Sequence, residues 1–430
     1  MVLLRHGPSA RCLIFQPLEL YDISMRLSTD LYVIDCGTTK FCLASLIRDK
    51  AGSLALRTIA VPAGGMRRGM LADFDGARIS LTNLLDQAER QLDRDIRKVA
   101  VGIAGSHLRS IFTSVSANID NGQVDNETLI ALNSKADLAL ADERREVIHS
   151  VPISYRIDQR EPVDNPLNFT GSMIYAEFFV VDADRSYIKD MVRLMNQCGL
   201  EVSRLYSEPF ASASVTLLDH HKHLGVALLD IGGGTSDGVV FRLGKPCSVF
   251  TLNIAGSMMT ADLSIGLNIP SQEAEMIKLH FGLEDHHSIE CIDFDGRPRI
   301  VTSREVHQIL GARILEFAEH LGKSLLPFKG CLGSGLVITG GGSQVRGLGQ
   351  FLQKIFKIPV SVIDPTLAEK TGNLGLKWRD HPTPMKSSFA TALGLLNLEL
   401  SRVMQESEHH THAKPRRYVN QFINWLKEFS

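Results

Sequence analysis

Apolar positions along the chain follow a design that occurs twice. Leu31 to Ile34 is an unbroken β-prone run, Gly37 with Thr38 and Thr39 supplies a turn, and Phe41 to Ile47 resumes the run. Residues 31–49 therefore predict two strands about a tight turn. Residues 225–244 repeat it: an apolar strand reaches Asp230, a glycine turn follows with Thr235, and a second strand leaves it. A repeated strand–Asp–Gly-turn–strand unit suggests two related lobes. Between and after them, Ile79, Leu81, Leu84, Leu85, Ala88 and Leu92 recur at helical spacing within 75–94, and residues 99–105 form a short buried strand. Helical patterns also cover 125–140, 184–197, 271–281 and 303–325. Residues 335–345 read as strand, glycine turn and helix start, and 387–399 as a small apolar helix.

From about residue 107 to 200 the texture changes to short alternating strands (IFTSVSANI, SMIYAEFFVVD) with two helices, punctuated by Pro152, Pro162 and Pro166. This block reads as a compact α+β insert. Residues 402–415 are polar, His-rich and end in proline, which predicts a linker. No apolar run approaches the ~18 residues of a spanning helix. The first fifteen residues make a poor signal peptide, because Arg5, His6, Pro8 and Arg11 break their apolar stretches. They read as an extension or a mis-assigned start, with Met25 as a plausible alternative.

Composition narrows the class. With 430 residues, 44% hydrophobic and 22% charged, the chain predicts several globular domains rather than a disordered chain, a fibre or a coiled coil. Its 46 basic against 48 acidic residues leave a net charge of −2, so no strong overall field favours nucleic acid. Seven cysteines without a Cys-x-x-Cys pair predict neither a disulfide framework nor a zinc site, and fit a reducing compartment.

The glycine turns are the candidate chemistry. A turn with few side chains lets amide N–H groups close on phosphate oxygens. Thr38, Thr39 and Thr235 can add hydroxyls, Lys40 a positive charge, and a third turn, Gly340-Gly341-Gly342, can pass under a nucleoside. One glycine run is weak evidence; three, each at a strand end and two preceded by Asp, are stronger. Asp35 and Asp230 each end an apolar strand, where a carboxylate is costly unless paired or near a metal. One such Asp alone reads best as a turn cap. Two in matching hairpins favour a phosphate-bound Mg²⁺, which takes oxygen ligands and keeps waters.

With these motifs on the page, the chain resembles the actin and heat-shock-chaperone ATPase superfamily, and within it the FtsA family of bacterial cell-division proteins. VAVGIAGSHLRS (99–110), residues 149–181, SQEAEMIKLHFG (271–282) and the C-terminal tail carry the narrower match, which covers roughly residues 30–430. The resemblance implies an α/β, two-lobed actin/heat-shock-chaperone-like fold with duplicated ribonuclease-H-like domains and an inserted α+β subdomain. Its implied divisions are an N-terminal extension (1–28), subdomain IA (29–106), inserted subdomain IC (107–200), a return to IA (201–220), and lobe II with subdomains IIA and IIB (221–385). A return helix (386–400), a linker (401–414) and an amphipathic membrane-targeting helix (415–430) complete them.

The resemblance also implies roles. Asp35, Gly37, Thr38, Thr39 and Lys40 would form a first phosphate loop. Asp230, Gly232, Gly233, Gly234, Thr235 and Asp237 would form a second. Gly340, Gly341, Gly342 and Ser343 would lie by the adenosine, with Glu273 and Lys278 on ribose and base. Asp35 and Asp230 would hold Mg²⁺ through water. Glu208 is a candidate for orienting an attacking water, and equally a helix N-terminal acid favoured by the dipole. The implied cofactors are ATP and Mg²⁺, with at most weak ATPase activity. The implied partners are FtsZ, other divisome proteins at subdomain IC, further copies of the chain in a filament, and cytoplasmic-membrane lipid at the division septum. Three rivals stand beside it. A sugar-kinase-type phosphotransferase would need a substrate pocket and a further catalytic Asp. A chaperone would need a peptide-binding domain, where only about ninety residues follow the third turn. An MreB-like cytoskeletal protein would lack this insert.

The tail is readable without the family. Tyr418, Val419, Phe422, Ile423, Trp425, Leu426 and Phe429 recur at helical spacing among polar residues. Fifteen residues make a helix of about 22 Å, too short to span the hydrocarbon and marginal alone in water. An aromatic apolar face with basic edges suits the membrane interface. Arg416, Arg417 and Lys427 against Glu428 give a local charge of +2. Trp425→Glu is expected to release the chain from anionic vesicles; continued co-sedimentation would show that another surface binds lipid.

Overall fold

The computed structural model describes residues 27, 29–50, 52–140, 143–284, 288–365 and 386–409, with side chains to 404. Apart from Leu27, which is buried beside Leu31 and Leu46, the N-terminal extension lies outside the described residues, as does the amphipathic tail.

Two five-stranded sheets form the two lobes. The first is built from β1 (Leu31–Cys36), β2 (Lys40–Arg48) and β3 (Leu54–Pro62), followed by a two-residue pair, β4 (Met66–Arg67) and β5 (Met70–Leu71), and helix α1 (Phe74–Leu92). Strand β6 (Lys98–Ile103) then returns to the sheet. The insert follows: β7 (Arg109–Asn118), α2 (Asn126–Ala139), β8 (Arg145–Ile157) and β9 (Met173–Asp184); helix α3 (Arg185–Gln197) comes after it and packs into the first lobe's core through Ile188, Met191 and Met195. Strand β10 (Glu201–Ser207) rejoins the first sheet, and α4 (Glu208–Thr216) and α5 (Asp219–Leu224) lead out of it.

The second lobe starts with β11 (Val226–Ile231), β12 (Ser236–Arg242) and β13 (Lys245–Leu252). Next come α6 (Gly256–Leu267), α7 (Ser271–His280), the hairpin β14 (Ser288–Ile292) with β15 (Pro298–Thr302), and α8 (Ser303–Leu325). It closes with β16 (Leu336–Thr339), α9 (Leu348–Phe356) and β17 (Val360–Val362). A final helix, α10 (Ala390–His409), returns to the first lobe.

The sheets run β3-β2-β1-β6-β10 and β13-β12-β11-β16-β17. In each, an antiparallel meander supplies three strands and a parallel pair extends the Asp-bearing strand on its other side. The second sheet therefore repeats the first strand for strand, which is the duplication expected from the two hairpins. β1 and β11 are buried along their whole length, as strands covered on both faces must be, so they read as unbroken apolar runs. Helix α1 packs on one face of the first sheet through Leu81, Leu84 and Ala88. Helix α10 covers the other through Leu393, Leu396 and Leu400, together with Ala211 and Val215 of α4.

The insert is a three-stranded antiparallel sheet, β7-β9-β8, with α2 packed on it through Leu129, Leu132 and Ala136. Asp182 of β9 is fully buried and takes both Arg109 of β7, at 2.8 Å, and Arg145 of β8. β8 runs straight through Pro152. The strand lies at a sheet edge and shifts register between Pro152 and Ser154, the two conditions under which a sheet tolerates proline. The six described cysteines are free thiols.

The polar stretch read as a linker begins as helix. α10 continues to His409 because SRVMQESEH holds no Gly or Pro and Met404 still packs into the core that Leu400 enters. The contact between α10 and α4 is close: a Cβ on Gly394 would lie 1.9 Å from the Ala211 carbonyl oxygen. Gly394→Ala is expected to cost about 1–3 kcal/mol in denaturant unfolding, the usual penalty of overpacking. An unchanged midpoint would show that these helices separate freely.

Candidate functional site

The ends of the two matching hairpins meet. A Cβ on Gly233 would lie 2.3 Å from Thr39 Cγ2, and one on Gly234 would lie 2.3 Å from Thr38 Oγ1. Only glycine at 233 and 234 lets the turns approach this closely. The second turn is held from behind by α6, where the Gly256 N–H donates to Gly232 O at 3.0 Å and the Ser257 N–H to Gly233 O at 2.8 Å. The third turn lies against the same strand end. Gly340, at φ +84°, sits over the Asp230 carboxylate and Ile231, and Gly342 lies beside Ile231 and within van der Waals range of Gly256. Ser343 Oγ closes its own turn on Gly340 O at 2.7 Å.

Four acids crowd this junction, and their partners differ. Asp230 Oδ2 accepts from Ser212 Oγ of α4 and, at 2.8 Å, from Thr391 Oγ1 of α10, so a second-lobe carboxylate is clasped by two first-lobe helices. Burial still raises its pKa. Asp237 lies directly opposite Asp230 in the β11–β12 register. It accepts from Thr235 Oγ1 at 2.7 Å and Thr251 Oγ1 at 2.6 Å, and from the Gly105 N–H at 3.4 Å. Burial pushes its carboxyl up to about 6 against those bonds. Asp35 is pushed up to about 7, by burial first and then by Asp230, with Lys40 opposing. Glu208, in the first turn of α4, lies against β6: its Cγ and Oε1 would stand 3.0 Å from a Cβ on Gly102. Burial and the charges of Asp35, Asp237 and Asp230 hold it well above the usual carboxylate range.

Lys40 is the cation nearest Asp35. Its ammonium donates to Ser388 O and lies 3.9 Å from the centre of the Phe389 ring, in the short turn that precedes α10. Ser388 also approaches Gly341, so this turn joins the first hairpin to the third glycine turn. Lys278 of α7 is buried under the second and third turns, with Nζ 2.9 Å from Thr260 Oγ1, 3.3 Å from Gly256 O and 2.7 Å from Glu275 Oε2.

The structure thus places Asp35, Lys40, Glu208, Asp230 and Asp237 within one electrostatic neighbourhood and brings Thr38 and Thr39 onto Gly233 and Gly234. Lys278 stands by Gly256. Glu273 is half-buried and faces Cys291 of β14, where its charge adds to burial in pushing that thiol up. The acid that meets Lys278 is Glu275, three residues earlier on the same helix. Sequence reasoning missed Glu275, Thr260, Gly256, Ser212, Thr251, Ser388 and Thr391. Only Glu275 carried a local signal, the i,i+3 acid–base spacing.

This arrangement suits an anionic phosphate chain carried with a hydrated divalent cation. The facing turns leave backbone where any Cβ would intrude. Burial raises the pKa of all four acids, so a cation that offsets their charge would favour their ionised forms. Among the described residues no three acids, histidines or cysteines converge to hold an ion by themselves.

Comparison with known proteins places the chain. The family model for "Cell division protein FtsA" matches residues 227–394, and that for "SHS2 domain inserted in FTSA" matches residues 105–182, across the insert. The FtsA of Neisseria meningitidis serogroup B is 31% identical over 384 residues, covering 85% of this chain and 89% of that protein. The FtsA of Escherichia coli K12 is 26% identical over 420 residues, covering 92% and 97%. Among solved structures, a PilM–PilN type IV pilus biogenesis complex aligns at TM-score 0.58 and 18% identity, covering 86% of this chain and 98% of its own. MreB5 of Spiroplasma citri bound to ADP aligns at 0.52 and 13%, covering 89% and 99%. These two show the actin-like fold.

The buried acids predict a pH dependence. A carboxyl raised from 3.8 to about 7 contributes stability that is fully present below 3.8 and lost as pH rises through 7. In chelator and without nucleotide, Asp35→Asn removes this loss. Its thermal midpoint relative to the unaltered chain should climb between about pH 4 and 7 and then level. A constant difference across that window would show that Asp35 is not held protonated.

Proposed function

The chain belongs to the FtsA family of cell-division proteins, and from that membership we propose that it binds Mg-ATP between its lobes and uses the nucleotide to control assembly at the membrane. The observation that carries this is the direct approach of the two duplicated glycine turns, with the third turn, Lys278 and four acids gathered around them. The ADP held by the similarly folded MreB5 of Spiroplasma citri supports the same use of the fold.

In this reading the backbone of residues 37–39 and 232–234 binds the phosphates from the two lobes. Thr38, Thr39 and Thr235 add hydroxyls, and Lys40 adds charge. Asp35 and Asp230 hold the waters of Mg²⁺, which when bound neutralises phosphate charge. Gly340–Ser343 and Lys278 flank the nucleoside, with Glu273 at the ribose. Glu208 orients a water. Hydrolysis in this reading is weak at best. Because the ligand touches both lobes, its presence biases the angle between them, and that angle sets self-assembly into actin-like filaments.

The tail at 415–430 holds the filament on the cytoplasmic face of the membrane at the division septum, many weak helices acting by avidity. FtsZ is the main partner tethered there, and the insert meets other divisome proteins. Among the described residues no helix is long and apolar enough to cross a membrane.

Calorimetric titration with Mg-ATP tests the nucleotide site. The unaltered chain should bind one nucleotide. Gly234→Val, which forces a side chain into Thr38, should weaken binding roughly tenfold or more, the scale of an overpacking penalty. Equal affinity in the variant would contradict the placement of the phosphates between the turns.

A further inference from the structure

One side chain reaches the phosphate turns from outside both five-stranded sheets. Tyr187 lies in the first turn of α3, three residues after β9 closes the insert. Its hydroxyl donates to Gly69 O at 2.8 Å, and the Gly69 N–H donates to Thr38 Oγ1 at 3.1 Å. Gly69 stands in the tight turn between β4 and β5, and a Cβ there would lie 3.3 Å from Thr235 Oγ1. The 68–69 turn is therefore wedged between a threonine of the first phosphate turn and a threonine of the second.

Tyr187 is itself fixed from the insert side. Its ring packs on His107, with centroids 4.0 Å apart. Both ring nitrogens of His107 are buried without a hydrogen-bond partner among the described residues, so the imidazole serves as a packing surface. The His107 carbonyl accepts from Arg145 at 2.9 Å, and Arg145 pairs with the buried Asp182. The opposite side of the insert's root is tied to the second turn, where Gly105 donates to Asp237 and accepts from Thr251 Oγ1 at 3.2 Å. Burial pushes the Tyr187 phenol well above its ordinary range, so it is a donor at neutral pH.

We propose that Tyr187 is a positioning residue: by holding the Arg68–Gly69 turn against Thr38 it sets the gap between the two phosphate turns, and it makes that gap depend on the position of the insert. This rests on the nucleotide reading above and adds the route by which the insert and the nucleotide affect one another. By linkage, whatever holds the insert in place changes nucleotide affinity, and nucleotide changes the hold on the insert by the same factor.

Tyr187→Phe in the full chain tests it, because the ring and its packing on His107 remain while the donor is lost. Without nucleotide, amide hydrogen exchange at Gly69 should quicken about fivefold, the effect of one neutral hydrogen bond, while the thermal midpoint stays nearly unchanged. With Mg-ATP and Mg-ADP, the ratio of the two affinities should shift by at least about threefold, since the gap between the turns acts on the phosphates and not on the nucleoside. Unchanged exchange at Gly69, or equal changes for the two nucleotides, would overturn the proposal. If the unaltered chain binds neither nucleotide, the nucleotide reading itself falls, and the coupling drawn here falls with it.

Discussion

The structure depends on one close approach: two turns from two separate sheets come together with side chains on one side and bare backbone on the other. Thr38 and Thr39 occupy the space that a Cβ on Gly233 or Gly234 would need. The repeated sheet order brings the carboxyl ends of β1 and β11 to the same junction, and the bonds from Ser212 of α4 and Thr391 of α10 to Asp230 tie the first lobe to the second there. A change that opens any of these contacts widens the space between the turns, and with it the site.

The same approach creates an electrostatic problem. Asp35, Glu208, Asp230 and Asp237 are drawn out of water beside one another, with Lys40 as the nearby cation acting on Asp35 and Asp230. Asp230 and Asp237 are answered by hydroxyls borrowed from other elements: Ser212 and Thr391 for the first, Thr235 and Thr251 for the second. Asp35 and Glu208 are shifted furthest from their ordinary behaviour. A ligand that brings a cation relieves this repulsion in the folded state only, and by mass action stabilises the fold.

Much of this was legible in the sequence because it is local. The hairpins, the Asp before each glycine turn and the helix periods all declare themselves within ten residues. The duplication followed from comparing two such stretches. What was not legible is contact between distant segments. Nothing near Ser212 or Thr391 announces a bond to Asp230, and Tyr187 looks like any aromatic residue in an amphipathic helix. Pro152 reads as a break, yet an edge position and a register shift absorb it. The polar residues after Leu400 read as linker, yet Met404 finds a core position and the helix continues. In each case the tertiary partner decided, and local propensity did not.

The most direct test is amide hydrogen exchange on the full chain with and without Mg-ATP. Residues 37–40, 232–235 and 340–343 should gain protection together, because one ligand closes all three turns. Protection confined to a single turn, or none at any of them, would contradict a nucleotide held between the lobes.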